Sequence, residues 1–198
     1  MKVRQVFKTY KNSKDTENKD EYCLLCGSEC IPKRDNGILR MTCVNCGHIH
    51  YQNPSPAVSI LIEDNSKFLL CKRSANNFKG GKWCLPCGFV EFSEDYLTAA
   101  VREAKEETGL DIEVKSIISV VSNFFTPDLH TLVIVLFAKP IGGVLNVGDN
   151  ENDTLEWFSR DEALPEMAFD ADAHIIRRYF STRLVGAPVD LGYSKQLK

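Results

Sequence analysis

Two short pairs of cysteines constrain this chain more than any other feature of it. Cys23 and Cys26 in CLLCG, with Cys43 and Cys46 in CVNCG, give CxxC, sixteen residues, then CxxC, a spacing that brings four thiolates to one tetrahedral ion. A glycine follows the second cysteine of each pair, so the backbone can turn tightly and aim its amides at the sulfurs. A segment of about 30 residues buries too little apolar surface to fold alone, whereas zinc binding supplies on the order of 10 kcal/mol. Residues 21–52 are therefore expected to form a small zinc ribbon, with Cys23, Cys26, Cys43 and Cys46 holding Zn²⁺ and with Cys30, His48 and His50 outside the shell. Four cysteine ligands leave no coordination position for water or substrate, so this zinc is expected to be structural and the chemistry to lie elsewhere.

Composition limits the alternatives. The chain has 198 residues, 43% hydrophobic and 26% charged, the profile of an ordinary globular protein with one main domain and an accessory piece. Its formal charge of -3 gives no global attraction to nucleic acid or to an anionic membrane, and the ribbon offers only Lys33, Arg34 and Arg40 for a phosphate backbone. Nucleic acid is not an expected partner. No apolar run approaches the roughly 18 residues that a span requires, and MKVRQVFKTYKNSKD lacks the apolar centre of a secretory signal. The expectation is a cytoplasmic protein without a membrane partner, whose eight cysteines bind metal or are buried and do not form disulfides.

The chain also divides by composition. Residues 1–20 are polar, 21–52 cysteine-rich, an apolar-patterned region follows the linker of Asn53-Pro54 and Ser55-Pro56, and the tail, 184–198, is expected on the surface or partly disordered. Within that domain GFVEFSEDYLTAAVREAKEETGL predicts a helix beginning near Ser93, with Glu94 and Asp95 favourable at the positive end of its dipole, and stopping at Gly109. Leu97, Ala100, Val101, Ala104 and Thr108 form a narrow stripe of small residues suited to lie against a sheet. Glu103, Glu106 and Glu107 stand at i, i+3 and i+4 beside it. Like charges at those spacings repel, and they do so near the negative end of the helix. Either the face is solvated and paired with Arg102 and Lys105, or a hard divalent cation resolves the conflict.

The wider pattern decides between these. Gly88, five residues, Glu94, seven residues and then REAKEETGL resembles the Nudix box, GX5EX7REUXEEXGU with U aliphatic, and every fixed position is met. The strand-like AVSILIE, FLLCKR and HTLVIVLFAKP, the lead-in GKWCLPCGFVE and the later EWFSRDEALPEMAF are similar to the rest of a Nudix hydrolase. The resemblance implies an α/β fold, an α/β/α sandwich with a mixed sheet over residues 55–183, preceded by the ribbon. The ribbon followed by HYQNP is similar to the subgroup of NADH, FAD and ADP-ribose pyrophosphatases.

By that resemblance Glu103, Glu106 and Glu107 would hold Mg²⁺ or Mn²⁺, Arg102 would orient them, and a backbone carbonyl beside Gly88 would complete the shell. Glu91 and Glu94 would support the site, Glu94 either at the metal face or at the helix start. One acid from GDNENDTLEWF would join them, with Glu151 preferred over Asp153 and Glu156. The implied reaction is attack of water on the diphosphate of an FAD- or ADP-ribose-type compound, giving AMP and a phosphorylated product. Alternatives are an NADH pyrophosphatase, an 8-oxo-dGTP type pyrophosphohydrolase, or a ribbon protein that binds nucleic acid beside an inactive Nudix body. The NADH subgroup carries SQPWPFPxS after the box, where this chain reads SVVSNFFTPDLHTL. Phe124, Phe125 and Trp157 are candidates to stack on adenine, against the plainer expectation that they are core. A small-molecule nucleotide is the expected partner, and a homodimer, common among members, is left open.

WCLPC, residues 83–87, is one letter from a thioredoxin-type motif. Such a site needs a helix opening at its first cysteine to lower that thiol's pKa. Here Gly88, Phe89 and Val90 follow, so Cys84 and Cys87 are expected to be small substitutions inside the lead-in.

Overall fold

The computed structural model describes residues 4–9, 21–148, 151–182 and 185–189. The expectations for most of segment 1–20 and for tail residues 190–198 lie outside them. Contacts divide the chain into two compact units, one of Met1–Phe7, Ser55–Asn123 and Thr131–Lys198, the other of Lys8–Pro54 and Phe124–His130.

In the smaller unit β2 (Cys30–Asp35) and β3 (Ile38–Cys43) pair antiparallel from Cys30↔Cys43 to Asp35↔Ile38. They turn on Asn36-Gly37, both at positive φ (48° and 83°), the two-residue loop whose twist matches the strands. The two knuckles repeat one geometry: Gly27 N–H donates to the Cys23 carbonyl (2.8 Å) and Gly47 N–H to that of Cys43 (3.2 Å). Both glycines are left-handed, at 70° and 72°, where a Cβ would be strained. Cys23, Cys30, Cys43 and Met41 make up the small apolar centre.

The larger unit is built on a mixed sheet ordered β1-β8-β9-β4-β5-β10, comprising β1 (Val6–Lys8), β4 (Ser55–Asp64), β5 (Lys67–Arg73), β8 (Leu110–Thr126), β9 (Leu129–Gly143) and β10 (Asn152–Ser159). Short strands β6 (Trp83–Cys84) and β7 (Cys87–Phe89) attach to β5 and β4, and β11 (Ala187–Pro188) to β8. β4 lies parallel to β9 and antiparallel to β5 and β7. Side chains alternate across β4, so Ala57 and Leu61 face one layer while Val58, Ile60 and Ile62 face the other. The second face is covered by α1 (Tyr96–Thr108), through Leu97, Ala99, Ala100 and Ala104. The first is covered by α2 (Asp170–Thr182), through Ala171, Ile175, Ile176 and Tyr179. The expected α/β/α sandwich with a mixed sheet is thus the architecture of this unit, and among the described residues no helix is long and apolar enough to cross a membrane.

Three details differ from expectation. The helix is capped two residues later than Ser93 and starts at Tyr96, because Asp95 is the better cap: its Oδ1 accepts from the amides of Leu97 (2.9 Å) and Thr98 (3.0 Å). Gly109 ends it in the left-handed conformation, as expected. The polar N-terminal segment is not wholly separate, since Val6–Lys8 forms β1 and Phe7 is buried in the core of the larger unit. In the tail, Ala187 and Pro188 are exposed but pair with Ile117 and Ser116.

Candidate active site

Arg102, on the exposed shoulder of α1, organises the acids. Its Nε donates to Glu94 Oε2 (3.0 Å) and its Nη2 to Glu94 Oε1, a two-pronged grip. Nη1 donates to Glu103 Oε1 (2.8 Å) and Glu106 Oε2 (2.9 Å), and Nη2 also reaches the Phe89 carbonyl (3.1 Å). One guanidinium therefore ties the β7 backbone and the loop before α1 to two carboxylates on the helix. Arg102 holds the Glu94 carboxyl below its ordinary range, and the acids in turn raise Arg102 far above its own. Glu94 thus does not cap the helix; it braces Arg102 and accepts the Glu91 amide (3.0 Å).

The three helix acids occupy different environments. Glu106 is half-exposed, at 53% of its side chain, and Glu103 largely covered, at 13%. Glu107 is 1% exposed, with Oε2 accepting the Cys87 amide (2.9 Å) and Oε1 the Asn152 amide group (3.2 Å). Burial raises the pKa of Glu103, and the charges of Glu106 and Glu151 add to the rise against the opposing pull of Arg102. Glu103 lies so close to Gly88 that a Cβ there would overlap its carboxylate, and the side chain would have to move aside. A similar constraint holds at Gly148, where a Cβ would collide with the Glu106 carbonyl.

Of the later acids, Glu151 adds its charge to the rise at Glu103. Its carbonyl accepts from the Ser74 amide (2.8 Å) and Asn77 Nδ2 (2.9 Å), fixing that stretch of chain. Asp153 is turned to the Ser74 hydroxyl (2.6 Å), and Glu156 lies exposed within β10 opposite Leu70. An open polar depression of about 570 Å³ lies here, lined by residues such as Asn76, Asn77, Asn152 and Asp153. A depression of about 660 Å³ between α2 and residues 160–164 contains none of these acids. Glu103, Glu106, Glu107 and Glu151 offer carboxylate oxygens, the donors that suit Mg²⁺ or Mn²⁺, but among the described residues only the four cysteines bring three or more ligand atoms within 4.8 Å of one another. Glu106 and Glu151 repel Glu103, a conflict that a divalent cation would relieve.

The four ribbon sulfurs lie within 4.8 Å of one another. The separations are 3.7 Å for Cys23 to Cys46, 3.5 Å for Cys26 to Cys43 and 3.6 Å for Cys26 to Cys46, against about 3.8 Å across a tetrahedron of Zn–S bonds near 2.3 Å. Hydrogen bonds from the side chain and amide of Ser28 draw the Cys26 thiol down to about 6, while the contacts of Cys46 with Cys43 and its burial push that thiol up. Cys30, His48 and His50 are not in the group.

The WCLPC cysteines are arranged otherwise. Cys84 is fully buried, its Sγ donating to the Cys71 carbonyl (3.7 Å). Cys87 sits in β7, and the nearest following helix waits until Tyr96. A hydrogen bond with Cys84, together with burial, pushes the Cys87 thiol well above its ordinary value, the reverse of an activated thiol. Phe124 stacks on His130 at 3.8 Å between centroids, and Trp157 packs on the α1-side core.

Sequence reasoning missed two groups. Asn152 stood among the acids of GDNENDTLEWF and was passed over because it carries no charge. Asp172, in α2, is 4% exposed and accepts the Leu85 amide at 3.0 Å. Ala171, Ile175, Ile176 and Tyr179 recur at helical spacing, a signal that could have revealed α2 and with it a buried acid.

Comparison with known proteins agrees with this geometry. The NUDIX domain family matches residues 53–179. An ADP-ribose pyrophosphatase of Methanocaldococcus jannaschii is 44% identical over 133 residues, 65% of this chain and 75% of that protein. A NAD-capped RNA hydrolase, NudC, of Pseudomonas aeruginosa is 26% identical over 83% of this chain, which spans only 57% of that relative's length. Among solved structures, a NUDIX hydrolase from Nitrosomonas europaea superposes with a TM-score of 0.73 at 31% identity, covering 85% of this chain and 95% of its own.

Proposed function

Because this chain belongs to the NUDIX domain family, we propose that it is a metal-dependent pyrophosphatase that cleaves an ADP-linked diphosphate, of the ADP-ribose or FAD type, to AMP and a phosphorylated product. The observation that carries this reading is the grip of Arg102 on Glu94, Glu103 and Glu106 with Glu103 seated against Gly88. One positive charge among several carboxylates leaves a net negative face, as a cation site requires. ADP-ribose is favoured by the 44% identity to an ADP-ribose pyrophosphatase.

Glu103, Glu106 and Glu107 would hold Mg²⁺ or Mn²⁺, with Glu151 closing the set from the far side. Bound there, the cation would neutralise the diphosphate and make its phosphorus easier to attack. Arg102 keeps the helix acids in register with the β7 backbone, so the site is assembled before substrate arrives. One of these carboxylates would take the proton from the attacking water. In the ribbon, Cys23, Cys26, Cys43 and Cys46 would hold a structural Zn²⁺. A reducing, cytoplasmic setting fits eight cysteines that form no disulfide with one another.

A second reading, hydrolysis of NADH or a NAD-linked end, is favoured by the NudC match over 83% of the chain and opposed by the divergent SVVSNFFTPDLHTL stretch. Chromatography of products from ADP-ribose, FAD, NADH and 8-oxo-dGTP, each with Mg²⁺ or Mn²⁺, separates them. AMP with ribose 5-phosphate as the fastest products supports the first reading, and NADH turned over fastest replaces it with the second. No product from any of the four would overturn the assignment.

A further inference from the structure

Glu107 is the most deeply buried of the helix acids, and its orientation is not set by Arg102. Its two oxygens are held by the Cys87 amide and by the Asn152 side chain. We propose that Asn152 is a positioning residue which presents Glu107 to the metal face; the inference rests on the function proposed above.

The argument begins with the backbone. Asn152 pairs with Arg73, yet Thr154 pairs with Lys72, so Asp153 is an extra residue bulged out of β10. In a regular strand Asn152 would share the face of Thr154 and Glu156, opposite Leu155 and Trp157, which pack on the α1 side. The bulge reverses that phase. It turns Asn152 inward, leaving it 3% exposed, and sends Asp153 out to Ser74. Bulges beside active sites commonly re-aim a side chain in this way.

The chemistry of the side chain fits the task. Its Nδ2 donates to Glu107 Oε1 at 3.2 Å, while its Oδ1 is buried with no partner among the described residues. A buried, unpaired acceptor is unfavourable, so the residue is explained by its donor half. Lys or Arg in this place would neutralise Glu107 and compete with a cation. An amide orients the carboxylate and leaves its charge available. Glu151, the neighbouring residue, is the later acid whose charge reaches Glu103, so the start of β10 serves the site twice.

The test uses the full chain with Mn²⁺ as the probe, its affinity read by electron paramagnetic resonance and each variant's fold checked by thermal melting. Asn152→Leu, close in volume but unable to donate, is expected to weaken Mn²⁺ binding by about 10- to 100-fold, the usual effect of losing a partner behind a metal ligand. With substrate, it should lower kcat more than it raises KM. In a Glu107→Gln background the same substitution should change Mn²⁺ affinity less than about twofold, because both changes act through one carboxylate. Should the leucine variant not fold, Asn152→Ser, too short to reach Glu107, carries the same expectations. Wild-type Mn²⁺ affinity in a folded Asn152 variant, or an equal loss with and without Glu107, would overturn the inference alone. Tight Mn²⁺ binding by the wild type without hydrolysis would overturn the proposed function and leave the Asn152 cycle readable. A wild type that binds no Mn²⁺ would overturn both.

Discussion

Gly88 is where a missing side chain matters most, since the Glu103 carboxylate occupies the space a Cβ would take. The overlap is with the end of a flexible side chain, so Gly88→Ala should displace the carboxylate and spare the fold. We expect kcat to fall about 100-fold, the scale of a misplacement near 1 Å, with the melting temperature almost unchanged. Steady-state kinetics beside a thermal melt check this, and an unchanged kcat would mean Glu103 does not act from this position. Residues such as Gly88, Arg102, Glu103 and Glu106 were legible because they fall on fixed positions of the Nudix box; the charge pattern alone fitted a solvated face equally well. Asn152 was not, because a bulge decides which way it points and no periodicity announces a bulge.

Between elements, α2 is tied to the WCLPC segment that leads into β7 by Asp172, whose Oδ2 accepts the Leu85 amide. Burial raises its pKa from 3.8 to about 7, opposed by the Leu85 amide and by the charges of Arg73 and Lys79. Between these two values the folded chain holds a proton that the unfolded chain has lost, so this contribution is full below about pH 4 and is lost as pH rises through 7. The loss is at most about 4 kcal/mol. Asp172→Asn should therefore flatten the dependence of melting temperature on pH between 4 and 8, and equal slopes in mutant and wild type would contradict the burial argument. The sequence disclosed α1 in detail, missing only that Asp95 caps it in place of Ser93. It disclosed β4, β5 and β9 through their apolar runs. The long β8 and the helix α2 went unread because Ser, Asn and Arg interrupt their patterns, although the alternation is visible once the burial is known.

At the scale of the molecule, two units rest on different physics. The larger has two apolar layers around a sheet, whereas the smaller has three cysteines and a methionine at its centre and is expected to need a bound metal to hold its fold. Cys26→Ser is expected to lose the one bound zinc by elemental analysis. Hydrogen exchange should then accelerate at the amides of Cys23, Gly27, Cys43 and Gly47, while β4 and β5 stay protected. Retained zinc, or unaltered exchange in the knuckles, would contradict a structural metal. The central claim concerns the other unit: that acids gathered by Arg102 on α1 hydrolyse a diphosphate with a divalent cation. Its most direct test is the rate of AMP release from ADP-ribose with Mn²⁺ and with a chelator, for the wild type and for Glu106→Gln. The account predicts turnover that the chelator abolishes and that the substitution lowers by at least about 100-fold. Turnover that survives the chelator, or a Glu106→Gln protein as fast as the wild type, would contradict it.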